Sequence, residues 1–211
     1  MPEEKIVSPA VIRRLPRYYR YLGELMSEGI TRISSKELSE RMKVTASQIR
    51  QDLNCFGGFG QQGFGYSVEN LQREIAKIMG IDGGRTIVIV GVGNLGRALA
   101  GYDKFGKRGF KLMALFDNNP AVIGTHINGY IVQDAKLLEE YVKGNKIDVC
   151  AVTIPKLQAQ GVADRLVAAG IKGIWNFSHC ELSIPDTVAL ENVHMSDSLM
   201  TLSCKISRIE K

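Results

Sequence analysis

The 211-residue chain has no uninterrupted apolar stretch near the roughly 20 residues that span a bilayer, which removes a membrane-spanning reading. Its first residues, "MPEEKIVSPAV", lack the long apolar run of a secretory signal, so the expected location is the cytoplasm. None of the four cysteines, Cys55, Cys150, Cys180 and Cys204, forms a CxxC pair. His126, His179 and His194 do not stand at metal-ligand spacing with them. No metal site is therefore expected, and the thiols read as reduced. Acid is missing from residues 11 to 23, which carry Arg13, Arg14, Arg17 and Arg20 and suit an anionic partner. The overall charge of +5 says less than this local cluster, while 45% hydrophobic residues supply a core for two small domains or one larger one.

"GIDGGR", residues 80 to 85, reads as a linker before a strongly apolar strand, and the expected domains are 1–80, 81–190 and 191–211. Upstream, Pro16 suits the first turn of a helix through "RYYRYLGELMSEG", with Tyr18, Tyr21, Leu22, Leu25 and Met26 on one face. Ser34 with Glu37, then Thr45 with Gln48, form two capping-box patterns opening short helices, the second with Ile49 and Leu53 inward. Two short capped helices joined by a tight turn are the pattern of a helix-turn-helix. Ser47, Gln48, Arg50, Gln51 and Asn54 lie outward on the second, most of them able to bond base edges or phosphates. "FGGFGQQGFGYSV" sets aromatics among Gly57, Gly58, Gly60, Gly63 and Gly65 and reads as a β-hairpin wing. A phosphate-cradling loop is the competing reading, but no Lys or Thr follows in the P-loop arrangement. Residues 68–80 make one more amphipathic helix. The candidate DNA ligands are Arg14, Arg17, Ser47, Gln48, Arg50, Gln51, Asn54, Gly60 and Gln61, against the plainer reading of a helical dimerisation module with solvated arginines.

The second half alternates apolar strands with amphipathic helices, which implies a doubly wound parallel sheet of Rossmann type. "GVGNLG", residues 91–96, follows the strand "TIVIV". Gly91 suits the tight turn, Gly93 the approach of a pyrophosphate and Gly96 close packing of the next helix, with Val92, Asn94 and Leu95 completing the loop. Asp117 ends the second strand 21 residues beyond Gly96, where it can accept bonds from ribose hydroxyls; no arginine follows to offset a 2′-phosphate, so NADH and NAD+ are the expected cofactors. A dehydrogenase also needs a proton-moving group, and His179 and Cys180 are the available candidates. Only 26 residues follow residue 185, too few for a substrate domain. "NVHMSDSLMTLSCKISRIE" reads as one helix with Met195, Leu199, Leu202 and Ile206 on a stripe, a dimer contact or a packing face within one subunit.

"RLPRYYRYL", "ASQIRQDLNCFGGFGQQGFGY", "GVGNLGRAL" and the "FD" ending the second strand, in this order and spacing, resemble the redox-sensing transcriptional repressor Rex family over nearly the whole chain. The resemblance implies a winged helix joined to a Rossmann domain, in a homodimer whose C-terminal helix is exchanged between subunits. It implies a repressor of fermentation and respiration genes, not an enzyme, released from a palindromic double-stranded operator by NADH and restored by NAD+. It assigns the recognition helix to residues 45–54, the wing to 57–66, the pyrophosphate to 91–96 and the ribose to Asp117. It also places Tyr102, in the helix after the fingerprint, in a redox-dependent contact network. Where many members carry Asp and then a bulky apolar residue facing the nicotinamide, this chain has His194 and Met195; where many carry a basic wing residue, it has Gln61 and Gln62. The alternatives are a small NAD-dependent oxidoreductase with an accessory domain and a CoA- or nucleotide-binding ligase subunit.

Overall fold

Ser8 accepts a bond from the Val11 amide and Pro9 fills the first position of helix α1 (Pro9–Ser27) in the computed structural model of the chain, which describes residues 8–54, 60–61 and 65–210. Pro16 was expected in the first turn; it lies instead in the middle of a helix that begins seven residues earlier. An interior proline costs about 3 kcal/mol. Val11, Leu15, Tyr18, Leu22 and Leu25 form a buried stripe on both sides of it, each apolar side chain contributing about 1.5–3 kcal/mol, so burial outweighs the lost bond.

After α1 come β1 (Arg32–Ile33), α2 (Ser35–Met42), α3 (Ala46–Asn54), β2 (Gly60–Gln61), β3 (Gly65–Ser67) and α4 (Val68–Ile78). The Ser34–Glu37 capping box is fully formed. At α3 only half of the expected box is made: Thr45 Oγ1 accepts from the Gln48 amide at 3.1 Å, while the Gln48 side chain turns to Asp52. There its amide donates to an ionised carboxylate, a stronger bond than the one its oxygen would accept from the Thr45 amide in a full box. β1, β3 and β2 form a small antiparallel sheet, and the core beneath is built by α1 to α4 through Tyr18, Leu22, Leu38, Ile49, Leu53, Leu71 and Ile75. This unit spans Met1–Gly83; the second spans Gly84–Lys211.

The second unit contains β4 (Arg85–Val90), α5 (Asn94–Ala100), β5 (Phe110–Asp117), β6 (His126–Ile127), β7 (Tyr130–Asp134), α6 (Leu138–Asn145), β8 (Val149–Val152), α7 (Lys156–Ala168), β9 (Gly173–Asn176), β10 (Ala189–Asn192) and α8 (Met195–Ile209). The strands lie in the order β10-β9-β8-β4-β5-β7-β6, and every pair is parallel except β6 with β7. Val88, Val90, Cys150, Val152 and Ile174 face α6 and α7, while Ile87, Ile89, Ala151 and Val149 face the side of α5. The sheet is therefore apolar on both faces, as the continuous hydrophobic strands require.

Two local expectations are corrected, and one hairpin is added. Helix α5 stops at Ala100 with Gly101 as its C-cap, a residue that loses more conformational entropy in a helix than any other, so Tyr102 stands beyond the helix. The C-terminal helix begins at Met195 rather than Asn192, since Ala189–Asn192 pairs with β9 and the Val193 amide bonds the Asn176 carbonyl at 2.8 Å. The β6–β7 hairpin was not anticipated, although Asn128 and Gly129 at its turn, with φ of 50° and 85°, are the residues such a turn selects.

Candidate functional site

On α3, Ile49, Asp52 and Leu53 are buried, and Ser47, Arg50, Gln51 and Asn54 are exposed on the opposite side. Arg50 Nη1 donates to Ser35 Oγ at 3.2 Å, which ties the outer row of α3 to the first residue of α2. Gln48 sits between the two faces, half-buried. Its Nε2 donates to Asp52 Oδ1 at 2.8 Å, so it does not stand on the outer row where its spacing placed it.

Asp52, 0% exposed, also accepts from Arg14 Nε and Nη2, each at 2.7 Å, and from the Tyr18 hydroxyl at 2.9 Å. Burial pushes its carboxyl up, and the Arg14, Gln48 and Tyr18 donors outweigh burial, leaving the pKa below its ordinary value. Burial, then the bond to Asp52, raises Tyr18. Arg17 Nη2 donates to the Met42 carbonyl at the end of α2. Arg14 and Arg17, expected to meet DNA, are thus engaged within the fold. Sequence reading missed Asp52, although its position three beyond Ile49 and beside Leu53 marks it as inward-facing. Gly60 and Gln61 pair with Tyr66 and Gly65 in a hairpin; the rest of the expected wing, including Gln62, lies outside the described residues.

In the second unit the three fingerprint glycines differ in what surrounds them. An added Cβ on Gly91, at φ 94°, would lie 2.7 Å from the Thr153 carbonyl oxygen, and one on Gly96 would lie 1.9 Å from the Gly91 carbonyl oxygen. Around Gly93 nothing lies within 4 Å. Two glycines are therefore required by the protein's own packing, and the third, exposed, keeps an open approach to the backbone where a pyrophosphate fits. The loop is held by Gly91 N to Phe116 O at 2.8 Å and by Thr153 Oγ1 to Gly91 O at 2.6 Å. Gly93 caps α5, leaving the first-turn amides of Asn94 and Leu95 pointing outward from the exposed end. Asp117 Oδ2 accepts from the Val92 amide at 2.6 Å and Oδ1 from the Asn119 amide at 2.8 Å. Each oxygen keeps a second lone pair for a hydroxyl donor. Val92, Gly93 and Asp117 are thus brought together, and this donor and acceptor set fits a dinucleotide.

Tyr102 is 45% exposed and lines a hollow of about 490 Å³ with Ile87, Phe105, Phe110, Trp175 and Leu190. Met195, the first residue of α8, is 56% exposed. His179 is exposed at φ 54°, its ring 5.9 Å from that of His194, whose Nε2 lies 3.7 Å from Glu181. The neighbouring Asn176, Ser178 and Cys180 bond one another. Among the described residues no group of three His, Cys, Asp or Glu side chains could hold a metal, and no helix is long and apolar enough to cross a membrane.

Residues 6–54 match the family model described as "Putative DNA-binding protein N-terminus", and residues 82–180 match that of a CoA binding domain. Over 210 residues the chain is 57% identical to the redox-sensing transcriptional repressor Rex of Caldanaerobacter subterraneus subsp. tengcongensis, covering 100% of this chain and 94% of that protein. It is 52% identical to the Rex repressor of Clostridium botulinum, with full coverage of both. Its fold is similar to the crystal structure of RSP in complex with beta-NAD+ and operator DNA, at TM-score 0.90 and 56% identity over 97% of this chain and 94% of that one. The structure of RSP in complex with beta-NADH is similar at TM-score 0.87 and 52% identity, covering 97% and 96%.

Proposed function

Because the chain belongs to the Rex family of redox-sensing transcriptional repressors, we propose that it is an operator-binding repressor whose hold on DNA is set by NADH and NAD+. The observation that carries this reading is the Gly91–Gly96 loop beside Asp117, open at Gly93 and closed at Gly91 and Gly96, in a chain that also presents Ser47, Arg50, Gln51 and Asn54 on the exposed face of a short helix. Gly93 and the amides of Asn94 and Leu95 hold the pyrophosphate, with Val92 lining the loop and Gly96 letting α5 pack closely. Asp117 holds the adenosine ribose and excludes a 2′-phosphate by charge. When bound, the nicotinamide supplies only its oxidation state: cationic when oxidised and neutral when reduced. Met195 offers it an apolar surface, and burial of a cation there is costly, which favours the reduced form. Tyr102 takes part in the contacts that follow.

Helix α8 has no buried residue, and Met195, Leu199, Leu202 and Ile206 expose an apolar stripe, which supports a homodimer in which α8 packs on a second copy. Residues 1–80 form the DNA-binding domain, 81–190 the cofactor domain and 191–211 the dimer contact. Ligand binding then alters the spacing of two recognition helices and so the fit to a palindrome. The cofactor can do this only by binding the two dimer states unequally. The chain works as a receptor in the cytoplasm, not as an oxidoreductase acting through His179. A gel shift on a palindromic operator, titrated with NADH and NAD+, tests the reading: NADH releases the duplex and NAD+ does not. Equal effects of the two forms, or none, would refute it.

A further inference from the structure

We propose that Asp52 is a specificity-determining positioning residue, which fixes the rotation of the recognition helix α3 against α1 and keeps the charge of Arg14 out of the DNA contact. The inference rests on the DNA-binding reading above. Helix α3 has nine residues and only two buried apolar anchors, Ile49 and Leu53, one turn apart. Two anchors in a line hold a helix down but constrain its roll about its own axis poorly. Asp52 supplies a third point beside that line, and its bonds are directional.

Both carboxylate oxygens are doubly occupied: Oδ1 by Arg14 Nη2 and Gln48 Nε2, Oδ2 by Arg14 Nε and the Tyr18 hydroxyl. A forked guanidinium fixes both the position and the plane of the carboxylate it grips. Arg14 and Tyr18 are four residues apart on α1, so the grip comes from one face of a long helix anchored by a buried apolar stripe. Arg17, on the same stretch of α1, bonds the Met42 carbonyl, so α1 holds the ends of both helices of the helix-turn-helix. Ser47, Arg50, Gln51 and Asn54 stand opposite Asp52 on α3, and any roll of the helix moves all four against the groove.

The carboxylate has a second effect, on charge. Arg14 remains 32% exposed, a cation at the surface of the DNA-binding unit, and its pairing with Asp52 offsets the sequence-independent attraction it would otherwise add. Specific contacts gain and indiscriminate ones lose from the same ion pair.

The test uses the full chain and two duplexes: a palindrome selected by the wild-type chain from a random-sequence pool, and a scrambled duplex of equal length. Asp52→Asn preserves shape but presents a donor to the Arg14 fork. It is expected to lower the preference for the selected duplex about tenfold or more, the size of a lost base contact. Affinity for the scrambled duplex should hold or rise. Arg14→Lys keeps the charge without the fork and should shift the preference the same way. If Asp52→Asn does not fold, Tyr18→Phe, which deletes one donor, carries the test with a smaller loss of preference. An unchanged preference, or equal proportional loss on both duplexes, would reduce Asp52 to a structural brace and overturn the proposal. A wild-type chain that selects no duplex would overturn the DNA-binding reading itself.

Discussion

Gly93 and Gly96 stand in the same loop, yet a methyl group added to each meets opposite surroundings. At Gly93 the space is open; at Gly96 the group would overlap the Gly91 carbonyl oxygen at 1.9 Å. Gly93→Ala should therefore leave the melting temperature nearly unchanged and weaken NADH binding in calorimetry, since only a ligand meets the methyl. Gly96→Ala should lower the melting temperature as well, by the several degrees that follow from about 1–3 kcal/mol of overpacking. Equal melting behaviour in the two variants would contradict the division of roles among the glycines. Arg50 is the exposed cation on α3 with a described partner at Ser35. Arg50→Ala should cost about 1–3 kcal/mol of operator affinity, and a salt series separates its contacts: a base reader leaves the salt slope intact, a phosphate holder reduces it by about one. Operator binding unchanged in Arg50→Ala would remove it from the interface.

Pairing between elements sets how the first unit answers to acid. Asp52 has a folded-state pKa below its ordinary 3.8, despite burial, because Arg14, Gln48 and Tyr18 favour the ionised form. A group with a depressed folded pKa contributes stability that is fully present above its unfolded value and is lost as pH falls through the folded one. Urea unfolding should thus show wild type more stable than Asp52→Asn by about 1–3 kcal/mol near neutrality, the cost of losing charge-assisted bonds to a buried carboxylate whose partner Arg14 stays partly in water. The gap should narrow only below about pH 4. A gap constant to the lowest pH would deny the carboxylate its ionised role. The same pair explains what sequence could not supply: Arg14 and Asp52 are 38 residues apart, and an arginine in an acid-free run looks solvated until its distant partner is seen. Periodicity within one element was legible, so α2, α3, α4 and the apolar strands β4, β5, β8 and β9 could be placed. The strands at the two ends of the sheet were not: β6 has two residues, and β10 (Ala189–Asn192) holds one strongly apolar side chain, Leu190, so neither carries an apolar run to read. The Gly91–Gly96 and Asp117 pairing was legible because its spacing is set by one strand-helix-strand unit.

At the scale of the molecule, helix α8 poses an energetic question. Helices of about 12–15 residues are marginal alone in water, and most gain their stability from packing an apolar face. Among its 15 residues none is buried, while Leu199 is 67%, Leu202 51% and Ile206 46% exposed. The helix thus needs a surface that the described residues of its own unit do not supply, and a second copy brings an identical helix and an identical apolar hollow at Ile87, Trp175 and Leu190. If a second copy covers the stripe, folding and association are linked, and the melting temperature should rise with protein concentration. Leu202→Asp places a charge in the centre of the stripe. It should give a monomer in sedimentation equilibrium, remove the concentration dependence, and reduce binding to a palindrome toward that of a single half-site. The Gly91–Gly96 loop and Asp117 lie outside α8, so NADH should still bind to the monomer, more weakly by whatever Met195 of a second copy contributes. A Leu202→Asp chain that remains dimeric and keeps full operator affinity would show that the stripe is not the dimer contact, and the coupling from nicotinamide to recognition helices would then need another route.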